Sequence, residues 1–334
     1  MKTRTLGPFQ VGAIGLGCMS LSHAYGNPPP EETGARLLHR ALDVGYTLFD
    51  TASVYGLGAN ETLIGKTLKA RRDEFILASK CGLGPNPEGR RELTGRPEDI
   101  RRTCDDSLRR LQVETIDLYY LHRLDRRVPI EESVGALGDL VRAGKIRTVG
   151  LSEVGAGTLR RAHAEYPVTA LQSEYSLWTR NPEVATLDAC RELGVAFVAF
   201  SPVGRGVLTG SPPDPAAFVP SDFRKDMPRF QPDAWVANLR LQDRLVGIAS
   251  RVGCTPAQLA LAWTLSRGDH VIPIPGTANV EHMVENAEAD VVTLTPQVLE
   301  ELETAINART VTGARYTTAA QASVDTEEIP DEER

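Results

Sequence analysis

The chain is short of the features that mark a special environment. It has five cysteines in 334 residues, an odd number, with no C-x-x-C pair. Cys18, Cys81, Cys104, Cys190 and Cys254 therefore supply neither a disulfide framework nor a zinc spacing. They fit small thiols in a reducing compartment, and no metal site is expected. No apolar stretch is long enough to span a bilayer. The N-terminus, M-K-T-R-T-L-G-P-F-Q, lacks the apolar core of a signal peptide. Positive charge is scarce too: 37 Lys and Arg face 44 Asp and Glu, for a net charge of −7. Nucleic acid and anionic membrane both call for a basic face, so neither partner is expected. The expected location is cytoplasmic.

What is present is a 41% hydrophobic, 24% charged composition, enough for a sizeable core. After a Gly-Pro turn in L-G-P-F-Q-V-G, which reads as an N-terminal β-hairpin, the pattern alternates. Short apolar runs rich in Leu, Ile, Val, Phe and Tyr fall at 13–17, 46–50, 75–79, 117–121, 147–151, 168–172, 195–200 and 270–274. Each is followed by residues at helical spacing, as over 30–43, 60–70, 97–111, 130–143, 158–165 and 182–193. A Pro- and Gly-rich loop over 201–232 precedes helices at 235–252 and 256–266, and two more helices close the globule near Ile306. Eight strands, each leading into a helix, predict an α/β fold: a (β/α)8 TIM barrel with an N-terminal hairpin and extra C-terminal helices. Residues 1–334 read as a single domain, with an ordered core over about 1–308 and a polar tail over 309–334. The acidic run at the end of that tail reads as solvated.

Four polar residues stand where apolar runs stop. Asp50 ends Y-T-L-F-D, Lys80 ends E-F-I-L-A-S-K, His122 ends I-D-L-Y-Y-L-H, and Tyr55 lies in the loop after the first. A charged or imidazole group ending a buried strand must find a partner, since burial without one costs several kcal/mol. In barrels of this kind active sites are built at that end of the strands. The four are therefore expected to meet. A lysine ammonium beside a tyrosine favours phenolate, so Lys80 is expected to lower the Tyr55 pKa and make it a general acid. Asp50 would hold Lys80, and His122 would orient the reacting oxygen. Such a set can reduce a carbonyl, given a source of hydride.

The segment F-D-T-A-S-V-Y-G-L-G-A-N-E-T-L-I-G (49–65) resembles the signature of the aldo-keto reductases. Further resemblance runs in order through I-L-A-S-K-C-G (76–82), D-L-Y-Y-L-H-R-L-D (117–125), L-V-R-A-G-K-I-R-T-V-G-L-S (140–152), L-Q-S-E-Y-S-L-W (171–178), S-P-V-G-R-G-V-L-T-G (201–210) and I-P-I-P-G-T (272–277). It implies the barrel, the tetrad Asp50, Tyr55, Lys80 and His122 with Tyr55 as proton donor, a small-molecule aldehyde or ketone substrate, and an extended nicotinamide cofactor. NADPH is the expected cofactor, with NADH as the alternative. By resemblance, Ser152 and Gln172 contact the nicotinamide carboxamide and Phe200 stacks under its ring. Ser201, Gly204 and Arg205 lie where the pyrophosphate is clasped. Gly276, Thr277 and His282 fall at the 2′-phosphate end, with Glu285 and Asn286 at the adenine edge. Two departures stand out: Glu153 replaces the usual Asn, and Ala278, Asn279 and His282 occupy positions where the family commonly has Lys or Arg. Two other readings share the same barrel. A regulatory module resembling potassium-channel β subunits is disfavoured by a chain that begins almost at its first hairpin. A phosphosugar isomerase or aldolase gives Ser152, Gln172 and Phe200 no role.

Overall fold

The computed structural model describes residues 1–22, 24–85 and 91–329. Its strands are β1 (Thr3–Leu6), β2 (Phe9–Gly12), β3 (Leu16–Gly17), β4 (Leu48–Asp50), β5 (Ile76–Cys81), β6 (Leu83–Pro85), β7 (Arg91–Leu93), β8 (Ile116–Leu121), β9 (Ile146–Ser152), β10 (Val168–Glu174), β11 (Ala196–Phe200) and β12 (Val271–Ile274). The helices are α1 (Glu31–Asp43), α2 (Ala59–Leu68), α3 (Pro97–Leu111), α4 (Ile130–Arg142), α5 (Ala156–Glu165), α6 (Thr186–Leu193), α7 (Pro232–Val252), α8 (Pro256–Leu265), α9 (Val280–Ala287), α10 (Pro296–Ala305) and α11 (Thr318–Gln321).

Eight parallel strands lie in the order β12-β11-β10-β9-β8-β5-β4-β3, as the alternation predicts. The ring closes where the Gly15 and Gly17 amides donate to the Pro273 and Pro275 carbonyls at 3.0 and 3.2 Å. Glycine is needed there: a Cβ on Gly17 would stand 2.8 Å from the Ile274 carbonyl oxygen. The first hairpin, β1 with β2, pairs antiparallel as expected. It plugs the bottom of the barrel, sending Leu6 and Val11 into the interior cluster with Leu48, Leu118, Val198 and Ile272.

The core has two layers because successive strand residues point to opposite faces. In β8, Leu118 and Tyr120 fill the barrel, while Tyr119 and Leu121 pack outward against helices. In β11, Ala196 and Val198 point in, and Phe197 and Ala199 point out. Gly150 on β9 makes room for the Tyr120 ring, which would lie 2.3 Å from a Cβ added there.

Two features differ from expectation, and a third, in the 83–96 segment, adds to it. The helix over 182–193 is broken into a 3-10 turn, Asn181–Glu183, and α6. Glu183 is drawn off the helical path by the Arg180 guanidinium and the Tyr175 hydroxyl, both at 2.6 Å. The 83–96 segment contains the antiparallel pair β6 and β7; its residues 86–90 lie outside the described residues. The acidic run of the tail is not simply solvated. The Asp325 side chain accepts from the Thr158 hydroxyl at 2.6 Å, and its amide donates to the Glu153 carbonyl at 2.9 Å. The Glu327 carboxylate accepts from the Ala156 amide at the start of α5 at 2.6 Å and from the Thr186 hydroxyl at 2.5 Å. A negative charge at a helix N-terminus is favourable. Residues 330–334 of that run lie outside the described residues.

Candidate active site

One rule of strand geometry assembles the site. Continuing each inward-facing series by two residues gives Asp50 after Leu48, Lys80 after Ala78, His122 after Tyr120, Gln172 after Ala170 and Ser152 after Gly150. All five become the top layer inside the barrel, and each is buried: Asp50 3%, Lys80 0%, His122 7%, Ser152 1% and Gln172 2% exposed. The four residues expected to meet do meet. Lys80 makes an ion pair with Asp50 and donates to the Thr51 carbonyl at 2.7 Å. The other Asp50 oxygen accepts from the Gln172 amide at 2.7 Å. The Lys80 ammonium lies 5.1 Å from the Tyr55 ring centroid. The Tyr55 and His122 rings meet edge to face, with centroids 5.8 Å apart.

Other residues of the 49–65 segment hold the loop that carries Tyr55. The Thr51 hydroxyl donates to the Asn60 side chain at 2.6 Å, and the Asn60 amide donates to the Cys18 carbonyl at 2.8 Å. The Glu61 carboxylate accepts from Ser79 at 2.5 Å and from Arg110 at 2.7 Å. Asn60 and Glu61 are fully buried, so each hydrogen bond also satisfies a polar group that would be costly to leave unpaired.

The electrostatics correct one expectation. Burial pushes the Tyr55 phenol above the ordinary tyrosine pKa, and the Lys80 charge pulling it down does not offset this. Burial by itself lowers the Lys80 pKa, but the Asp50 charge outweighs it and holds the ammonium above its ordinary value. Asp50 itself is raised by burial, against the pull of Lys80 and Gln172. The balance therefore favours the protonated phenol over the phenolate.

A cavity of about 1000 Å³ opens over these groups. Asp50, Tyr55, His122, Ser152, Gln172, Phe200, Ser201, Arg205, Gly276, Thr277, His282, Glu285 and Asn286 all line it. Lys80 and Gly204 are not among its lining residues; both are buried. After β11 the chain turns through left-handed backbone at Ser201, Gly204, Arg205 and Gly206. At the far wall, the Asn279 side chain caps α9 by accepting from the His282 amide at 3.0 Å. The Glu285 carboxylate there accepts from the Thr255 hydroxyl at 2.6 Å.

Several functional neighbours escape a reading of the sequence. Glu153, the acid that stands where the family usually has Asn, is fully buried. Its φ of 55° turns the chain just beyond Ser152, and the buried side chain pairs with Arg315 from the tail. Glu174, one more inward step beyond Gln172, pairs with Arg205 at 2.6 Å. The charge of Arg205 is therefore committed to Glu174, and it holds this carboxyl below the ordinary value despite burial. The Tyr316 hydroxyl lies 3.1 Å from Arg205, and Tyr316, Thr317, Ala320, Ser323 and Val324 bring the tail into the cavity wall. The two-residue period could have found Glu174. Nothing local points to Arg315, which is 162 residues from its partner.

The model of the aldo/keto reductase family matches residues 13–307. The chain is 44% identical over 338 residues to the Schizosaccharomyces pombe aldo-keto reductase yakc, NADP(+), covering 99% of each chain. It is 44% identical over 310 residues to the probable aldo-keto reductase 1 of Glycine max, covering 92% of this chain and 89% of that one. Among solved structures it is similar to the glycerol dehydrogenase of Gluconobacter oxydans, with a TM-score of 0.84 and 28% identity over 95% of this chain and 98% of that one. It is also similar to the Klebsiella pneumoniae aldo/keto reductase in complex with NADP and acetate, with a TM-score of 0.73 and 27% identity over 95% and 99% of the two chains.

Proposed function

Because the chain belongs to the aldo/keto reductase family, we propose that it reduces small aldehydes or ketones to alcohols with NADPH as the source of hydride. The observation that carries this reading is the convergence of Tyr55, Lys80, Asp50 and His122 under one cavity of about 1000 Å³.

The lining suits a dinucleotide. Ser152 and the Gln172 carbonyl offer polar contacts for a carboxamide, and Phe200 is half-buried with its ring in the cavity wall. The left-handed turn at Ser201, Gly204 and Gly206 suits close approach of a pyrophosphate to backbone. Thr277, His282, Glu285 and Asn286 suit the adenosine end. The NADP(+) in the name of the S. pombe relative and the NADP in the K. pneumoniae structure support the phosphorylated form. When bound, the dihydronicotinamide supplies the hydride to the carbonyl carbon.

The chain's own groups do the rest. Tyr55 and His122 receive the carbonyl oxygen and stabilise the alkoxide as charge develops on it. Tyr55 then gives up its phenolic proton to that oxygen. A forming alkoxide is far more basic than phenolate, so a raised phenol pKa keeps the donor loaded without preventing transfer. Lys80, held charged by Asp50, stabilises the phenolate left behind. Gln172 keeps the second Asp50 oxygen satisfied. We read the whole of 1–334 as one barrel domain acting in the cytoplasm. Among the described residues, no single helix is long and apolar enough to cross a membrane. The test is fluorescence titration with NADPH and NADH, followed by oxidation of bound NADPH by a panel of aldehydes. Tight NADPH binding with turnover is expected; bound cofactor with no turnover of any aldehyde would sink the reading.

A further inference from the structure

Arg123 immediately follows His122 and lines the cavity. Its Nη1 donates to its neighbour's carbonyl, on His122, at 2.6 Å and to the Ser152 hydroxyl at 3.2 Å. A guanidinium has five N–H donors, so most of its capacity is unspent. The other cationic groups at this cavity are neutralised: Lys80 by Asp50, Arg205 by Glu174 at 2.6 Å and Arg224 by Asp222 at 2.7 Å. Among the described residues, Arg123 has no carboxylate within ion-pair distance. It is half-buried, and its charge acts on the Tyr55 phenol. Of the carboxylates lining the cavity, Asp50 belongs to Lys80, Glu285 is held by Thr255 at 2.6 Å, and Asp226 stands exposed in the loop after β11. One uncompensated positive charge is therefore left beside the reacting groups, among apolar walls that include Met19, Leu83, Leu93 and Phe223.

We propose that Arg123 is a specificity-determining residue that selects carbonyl substrates bearing a carboxylate. A half-buried guanidinium with free donors and no counterion gains most from a planar anion that accepts a bidentate pair. The carboxylate takes the place of the missing partner, while the carbonyl end of the same molecule reaches Tyr55 and His122. This rests on the reductase reading above and adds to it the chemical class of the substrate. The competing role for Arg123 is to brace Ser152, and through it the cofactor.

The test compares matched pairs that differ in charge: glyoxylate with glycolaldehyde, succinic semialdehyde with pentanal, and para-carboxybenzaldehyde with para-methylbenzaldehyde. The three acids place the carboxylate at different distances from the carbonyl. For at least one pair, kcat/KM is expected to favour the acid. In Arg123→Met that preference collapses about 100-fold, the effect of losing one charge-assisted bidentate contact, and Arg123→Lys restores part of it. NADPH affinity, read by fluorescence titration, stays within about twofold. An unchanged acid-to-neutral ratio in Arg123→Met overturns the proposal, as does a drop in NADPH affinity that accounts for the whole loss of rate. Carboxylate binding is also read without turnover, by titrating benzoate into the enzyme–NADP(+) complex. Binding that Arg123→Met abolishes supports the assignment even if no aldehyde is reduced, and binding that the variant leaves unaltered refutes it.

Discussion

Two buried charge clusters lie at the same end of the barrel and are put to different uses. Asp50 and Lys80 form one, on the ends of neighbouring strands β4 and β5. Glu153, Glu174, Arg205 and Arg315 form the other, drawn from β10, the turns after β9 and β11, and the tail. The first is a single pair flanked by groups that still have hydrogen-bonding capacity toward the cavity, Tyr55 and Gln172 among them. The second has two acids for two arginines, and each charge is answered within the protein. Burial makes both clusters costly to assemble. In the Asp50–Lys80 pair that cost leaves a protonated phenol beside a fixed cation. In the larger cluster it fastens the tail, with Tyr316, into the cavity wall.

If the comparison holds, breaking each cluster should damage a different property. The largest effect is expected from Tyr55→Phe, which leaves the ion pair intact but removes the transferable proton. The reduction rate should fall about 1000-fold, within the range for loss of a general acid, while NADPH affinity in a fluorescence titration stays unchanged. Full activity in that variant would remove Tyr55 from the mechanism. Arg315→Met strikes the other cluster and strands the Glu153 carboxylate in a dry interior. Urea unfolding should show a loss of about 3 kcal/mol, the scale for removing one partner of a buried pair. Replacing Glu153 by Leu in the same variant should recover much of it.

Acid should separate the two regions more gently. The folded pKa of Glu174 lies below its unfolded value, because Arg205 and Arg315 overcome burial. Its contribution to stability is therefore present above the ordinary carboxylate range, about 4.3, and is lost as pH falls through the lowered folded value. Hydrogen exchange near pH 3 should show residues 314–327 losing protection while the barrel strands keep theirs. Uniform loss across the chain would argue against a separable tail. The smallest effect is the shape of the alkaline limb. With the Tyr55 pKa raised, the reduction rate should stay level past pH 9 and fall only above the ordinary tyrosine value of about 10. A decline centred near pH 8 would mean that Lys80 does lower the phenol pKa once cofactor is bound.

Much of the cluster around Asp50 and Lys80 was legible in the chain because it obeys a local rule. A strand's two-residue period places Asp50, Lys80, His122 and Gln172 on the inward face, and the point where each apolar run stops places them at one rim. The same period carries on to Glu174 but does not say what that acid meets. The direction of the Tyr55 shift was not legible. It is a balance between a nearby cation and the depth of burial, and depth is a property of the closed barrel.

The amino-acid order alone determined the eight βα units, the identity of the polar residue ending each critical strand, and the chemistry those residues can perform. Only the tertiary structure decided that Glu153 turns away from the cavity to Arg315, that Arg205 is spent on Glu174, and that Arg123 meets no counterion among the described residues. Those outcomes depend on which charges come together when the ring closes and the tail folds back across its mouth. Distances between charges far apart in the chain are set by closure, and no local pattern encodes them.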